Sequence, residues 1–166
     1  MEKTKSSAED LLKSCETFLE IQNEVGGINL LQMIFVLQDK LNERHNISAC
    51  DALSKDSNGQ TAGRLVNIFI DCMHSELEEM RNCLFWKHWY TEYKAGNDFA
   101  IHDLHNLRVE VIDVFHFLIT LAMLAGFDAN SLMRGYLEKY KLNLHRVDTN
   151  TTQLGRTEEE NNKLDV

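Results

Sequence analysis

Glu110-Val-Ile-Asp113-Val-Phe-His116-Phe117 is the stretch that decides the fold. Two acids stand three residues apart inside a run that is otherwise apolar except for one histidine. Helical spacing continues from about Ile101 to Ala125, and Gly126 ends it. An i, i+3 spacing puts Glu110 and Asp113 on one helical face. Val109, Val111, Ile112, Val114 and Phe115 surround them, so that face borders a core. A carboxylate beside a core needs a partner, because an unpaired buried charge is costly. The same spacing recurs in His74-Ser-Glu76-Leu-Glu-Glu79, where Glu76 and Glu79 share a face flanked by Leu77 and Met80, with Glu78 as an exposed charge. Either pair alone reads more readily as solvated helix surface. Two such faces turned toward each other instead make a cage of hard oxygens, suited to Mg²⁺ and, through it, to phosphates.

The rest of the chain predicts more helices. Its 166 residues fit one domain and contain no proline, so little interrupts helix, and Asn58-Gly59 is the lone hairpin-turn signal. A helix is expected over Leu11–Val25, stopped by Gly26-Gly27. Another is expected over Leu30–Arg44, capped by Asn29 and facing the core with Leu30, Leu31, Ile34, Phe35, Leu37 and Leu41. Residues 46–63 read as a loop with a short helical turn near Ala49–Leu53. A third long helix spans Arg64–Cys83, with Leu65, Phe69, Cys72, Met73, Leu77 and Met80 inward. The helix through Glu110 follows, and the last, capped by Asp128, covers Ala129–Asn143. The expected organisation is a flexible start over residues 1–10, a helical domain over 11–146 and a polar tail over 147–166.

Composition excludes several functions. A net charge of −9 argues against DNA or RNA as a partner, which would need a basic surface. No stretch approaches a membrane span, and Met1–Asp10 lacks the features of a secretion signal. Cys15, Cys50, Cys72 and Cys83 form no Cys-x-x-Cys pair, which predicts a reducing, cytoplasmic setting with neither a zinc nor a disulfide framework.

Four further groups carry candidate chemistry. In Trp86-Lys87-His88-Trp89, both tryptophans of the chain stand together; they read either as core packing at a helix end or as a stacking surface for a base, with Lys87 near phosphates. Gln38 and Asn42, at i, i+4, pair a donor and an acceptor that suit a base edge, although in isolation they read as surface. Lys139, Asn143 and Arg146 lie near a helix end, where positive charge either complements the helix dipole or clamps a phosphate chain. His116 reads as a hydrogen-bonded structural histidine rather than a ligand. There is no glycine-rich phosphate loop and no nucleophile elbow.

Taken in order, these pieces resemble the dimeric all-α dUTPases within the wider MazG-like group of all-α NTP pyrophosphohydrolases. The matching pieces are Leu37-Gln38-Asp-Lys-Leu41-Asn42, Glu76-Leu-Glu-Glu79, Trp86-Lys-His-Trp89, Arg108-Val-Glu110-Val-Ile-Asp113-Val-Phe-His116-Phe and Lys139-Tyr-Lys-Leu-Asn143-Leu-His-Arg146. The resemblance implies a bundle of four to five helices, assembled as a homodimer or homotetramer. It also implies hydrolysis of dUTP, or of another dNTP such as dGTP or dATP, to the monophosphate and pyrophosphate. By resemblance Glu76, Glu79, Glu110 and Asp113 hold Mg²⁺, with Mn²⁺ as a substitute, and serve the chemistry. Gln38 and Asn42 contact the nucleoside, Trp86 or Trp89 borders the base, Lys139 and Arg146 meet phosphates, and Asn143 contacts the nucleotide or anchors its loop. The family's pattern is altered at Lys139-Tyr140, where Lys-Asn is usual, and at Val147-Asp-Thr-Asn150. A silent helical module that binds a nucleotide or a protein is the alternative from a different class.

Overall fold

A computed structural model describes residues 29–55 and 57–148. The expected helix at Leu11–Val25, the flexible start and the tail from residue 149 lie outside the described residues. Among those described the protein is all-α, with five α-helices: α1 Leu30–Arg44, α2 Ala49–Ser54, α3 Gln60–Asn82, α4 Leu104–Leu124 and α5 Ala129–Asp148. A π-helical turn, Tyr93–Asn97, stands between α3 and α4.

Local chemistry sets most of the boundaries. Asn29 Oδ1 accepts from the Gln32 backbone N–H at 2.7 Å, and Asn29 N–H donates to Gln32 Oε1 at 3.1 Å, a reciprocal cap that starts α1. The helix ends with Asn46 in the left-handed region at φ 57°, while Ile47 N–H reaches back to the Asn42 carbonyl at 2.9 Å. Ser48 caps α2 through its hydroxyl, which accepts from Asp51 N–H. Asp103 caps α4 and accepts from Asn106 N–H at 2.9 Å. Gly126, at φ 88°, turns the chain out of α4 as expected. Asp128 caps α5, and its hydrogen bonds from Ser131 hold its carboxyl below the usual range. That contribution to stability is present above the ordinary aspartate pKa and is lost as pH falls through the lowered one.

Several details differ from expectation, among them the start of α4 at Leu104 rather than near Ile101. Helix α3 starts at Gln60 rather than Arg64, because Gly59 adopts φ 67° as its N-cap and Gly63 N–H already bonds the Gly59 carbonyl at 2.9 Å. The glycine that read as loop lies inside the first turn. Helix α5 runs to Asp148, past the expected Asn143. The loop after Trp89 contains the π-turn, in which Gly96 takes φ 87°.

The chain divides into two compact units. The larger, Val36–Gly126, holds most of α1 together with α2, α3 and α4. Helices α3 and α4 pack along each other, and α2 packs against both. Their shared core is Ala49, Ala52, Ala62, Phe69 and Leu124, with Ile47, Leu65, Val66, Phe117, Leu121 and Met123 packed on it. The other unit contains the start of α1 and all of α5 among its described residues.

Two helix faces are oriented differently from the simple apolar stripe. In α1 the buried residues are Phe35, Gln38 and Asn42, whereas Leu30, Leu37 and Leu41 are exposed. In α3 Leu77 is likewise exposed. For α1 the reason is in the sequence: residues 33–37 are apolar all round the helix, so periodicity does not choose a face.

Candidate active site

The two acidic pairs lie on the two helices that pack most closely, α3 and α4. Carboxylate oxygens of Glu76, Glu79 and Glu110 come within 4.8 Å of one another. Glu110 is buried, with 5% of its surface exposed, Glu76 is half-buried, and Glu79 is exposed. Asp113 stands outside this trio, yet its charge acts on Glu76. Glu78, between the two acids of the first pair, pairs instead with Arg81 at 3.4 Å.

Packing like charges this closely has a visible electrostatic consequence. Burial raises the pKa of the Glu76 carboxyl above its ordinary value, and its hydrogen bond with Glu110 raises it further. The negative charges of Glu79, Glu110 and Asp113 act in the same direction. Among the described residues no lysine, arginine or histidine ion-pairs with the three acids. For a raised carboxyl, stability is greatest while the group is protonated and is lost as pH rises through the raised pKa. Near neutral pH the cluster therefore favours anything that brings positive charge. Three converging carboxylates, one of them buried, form the donor set of a hard divalent cation. The residues present fit such an ion.

Gln38 and Asn42 form a second group in the same unit. Both are buried, at 5% and 3% exposure, so the surface reading of this pair does not hold. The Gln38 amide donates to Asn42 Oδ1 and to Thr120 Oγ1, each at 3.0 Å, and its oxygen lies 2.6 Å from His116 Nδ1. Thr120 also lies 3.2 Å from both Asn42 Oδ1 and the His116 carbonyl. His116 is thus a hydrogen-bonded histidine, as expected. Thr120 is the member that sequence reasoning missed. It stands in the apolar run Phe117–Leu124, and the signal was a single hydroxyl among hydrocarbons, which must find a partner when buried.

The aromatic turn after α3 is held by its own cations. The Arg81 guanidinium lies over the Trp86 ring at 3.7 Å, and the Trp86 ring N–H donates to Asn82 Oδ1 at 3.2 Å. Lys87 Nζ lies 5.3 Å from the Trp86 ring, 5.9 Å from Trp89 and 5.7 Å from Tyr90. Trp89 is 57% exposed, so core packing does not account for it. An isolated antiparallel bridge, Leu84 to Ile101, closes the base of the loop.

Lys139, Asn143 and Arg146 belong to the other unit. Their i, i+4, i+7 spacing places them on one face of α5. Arg146 is buried, and its guanidinium donates to Asn143 Oδ1 at 3.5 Å. Cys50, Cys72 and Cys83 are free thiols. Among the described residues no single helix is long and apolar enough to cross a membrane.

Comparison with known proteins places this geometry in context. A family described as dUTPase matches residues 30–126, more than half of the chain. The dCTP pyrophosphatase of Enterobacteria phage T4 is 26% identical over 109 residues, covering 54% of this chain and 64% of that protein. The chain therefore spans somewhat less than two thirds of that relative's length. No solved structure matches it.

Proposed function

The chain belongs to the dUTPase family, and from that membership we propose that it is a metal-dependent dNTP diphosphatase, with dUTP as its preferred substrate. The observation that carries the reading is the convergence of Glu76, Glu79 and Glu110 within 4.8 Å, with no cationic side chain among the described residues ion-paired to them. In this reading those three acids hold Mg²⁺, with Mn²⁺ as a substitute, and Asp113 completes the set. Bound there, the ion offsets the charge of the triphosphate and acidifies water. An acid of the cluster with an oxygen to spare orients the attacking water toward the α-phosphorus and accepts its proton. Bond formation there releases pyrophosphate and leaves the nucleoside monophosphate.

Helix α4 supports the assignment of the base end. It carries Glu110 and, six residues on, His116 of the amide network, a separation of about 9 Å along the helix axis. Acids at one end and buried amides at the other suit a ligand with phosphates and a base. Gln38 and Asn42 then read the nucleoside. Trp89, whose ring is exposed, borders the base more readily than Trp86, which Arg81 covers. Lys87 is assigned to phosphate from its place beside the tryptophans, and by resemblance Lys139 and Arg146 are assigned to phosphate and Asn143 to the nucleotide.

A second pyrimidine is favoured by one observation, the similarity to a phage dCTP pyrophosphatase. Pyrophosphate release measured with Mg²⁺ across dUTP, dCTP, dTTP, dATP and dGTP separates the readings. Preference for dUTP is expected. Preference for dCTP would move the assignment to that base, equal or purine-biased release would remove the pyrimidine reading, and release from none would remove the enzyme reading. We also infer a homodimer or homotetramer, because Val36, Leu37, Ile112, Phe115 and Leu118 leave large apolar side chains in water. A monomer in light scattering would contradict that.

A further inference from the structure

The buried amide network contains two residues, Thr120 and His116, that have been given no ligand role themselves and that hydrogen-bond the two amides assigned to the nucleoside. Thr120 has none of its surface exposed and lies on α4, 82 positions from Gln38 in sequence. His116 lies one turn earlier on the same helix. Their bonds determine which way the Gln38 amide points. The Gln38 oxygen can only accept, so the 2.6 Å contact requires a proton on His116 Nδ1. The Gln38 nitrogen has two N–H groups, and these go to Asn42 Oδ1 and Thr120 Oγ1. A flipped Gln38 would set oxygen against the Asn42 oxygen and N–H against the His116 N–H. The bonds with Asn42 and His116 would be lost together, and Thr120 would have to withdraw its proton from the His116 carbonyl to meet the turned oxygen.

The orientation propagates to Asn42. Its oxygen is committed to Gln38, with the Thr120 hydroxyl 3.2 Å away. Its nitrogen therefore faces the other way, where the partner among the described residues is the Met123 sulfur at 3.8 Å. A thioether is a weak acceptor for an amide that is 97% buried, and this leaves donor capacity to spare.

We propose that Thr120 and His116 are positioning residues that fix the amide orientation of Gln38, and through it commit Asn42 to donating a hydrogen bond to an acceptor atom of the substrate base. The inference rests on the nucleotide reading above and adds the residues that set its selectivity. Thr120 never meets the substrate; it acts by denying Gln38 and Asn42 their alternative orientations. A pocket with pre-set donors discriminates by leaving them unpaired when the wrong base enters, so the orienting residues influence the choice of base.

Thr120→Val keeps the shape and removes the hydroxyl. It is expected to raise KM for the preferred dNTP about tenfold, to leave kcat within about threefold, and to narrow the preference between bases. Thr120→Ser restores the hydroxyl and should recover KM and preference. His116→Phe, at an exposed position, removes the donor to Gln38 and should shift KM the same way, even if Thr120→Val folds poorly in a melting curve. Wild-type KM and base preference in both Thr120→Val and His116→Phe would overturn the proposal, as would a Ser variant no better than Val. Nitrogen-15 spectra of the His116 ring give a readout that needs no turnover: the Nδ1–H tautomer is expected, and the Nε2–H tautomer would overturn the network. If the wild-type protein hydrolyses no dNTP, the proposed function fails while the tautomer still reports on the network.

Discussion

Glu110→Gln is expected to reduce turnover to background, a loss of roughly 10³-fold or more, while leaving the protein folded. Glu110 is the buried member of the acid trio and the hydrogen-bond partner of Glu76. Replacing its carboxylate by an amide keeps size and shape but removes a charged oxygen from a site that works by charge. Stability should move the other way. Glu76 is held above the ordinary carboxyl range partly by Glu110, so removing that negative charge relieves repulsion. At neutral pH the metal-free variant should melt at or slightly above the wild-type temperature. Loss of turnover with a retained or raised Tm separates a functional acid from a structural one. Near-normal turnover would show that the cluster is not the reactive centre.

Phe69→Ala is expected to be the most damaging single truncation among the described core residues, at about 3–5 kcal/mol. Its ring, from α3, lies against Phe117 of α4 with centroids 5.8 Å apart and planes tilted by 48°. Around it stand Ala49, Ala52, Ala62 and Leu124, so α2, α3 and α4 meet at this side chain. Alanine neighbours have no longer side chains to collapse into the space left, which places the cost toward the upper end of the range. Against a total stability of about 5–15 kcal/mol, that is a large share. A Tm lower by on the order of 10 °C is the expected readout. A shift of a degree or two would mean that this core does not hold the unit together.

Much of the architecture was legible from local chemistry. Asn29, Asp128 and Gly126 mark helix ends because their side-chain or backbone requirements are met within a few residues. The acid pairs were legible because i, i+3 spacing and apolar neighbours are both local. The start of α3 was not, because Gly63 reads as a loop residue until Gly59 is seen to cap the helix ahead of it. The inward face of α1 was also hidden. Leu37 and Leu41 are as apolar as Phe35, and what brings Gln38 and Asn42 inside is Thr120 and His116, some 80 residues away. Thr120 illustrates the general limit: its partners come from another helix, and one sequence does not state which helix that is.

The central claim is that the acid cluster holds a metal that serves cleavage between the α- and β-phosphates. Its most direct test is the phosphorus NMR spectrum of dUTP incubated with the protein, once with Mg²⁺ and once with excess EDTA. The account predicts dUMP and pyrophosphate in equal amounts with Mg²⁺, and unchanged dUTP with EDTA. Orthophosphate and dUDP as the first products, or the same dUMP yield in EDTA, would contradict it.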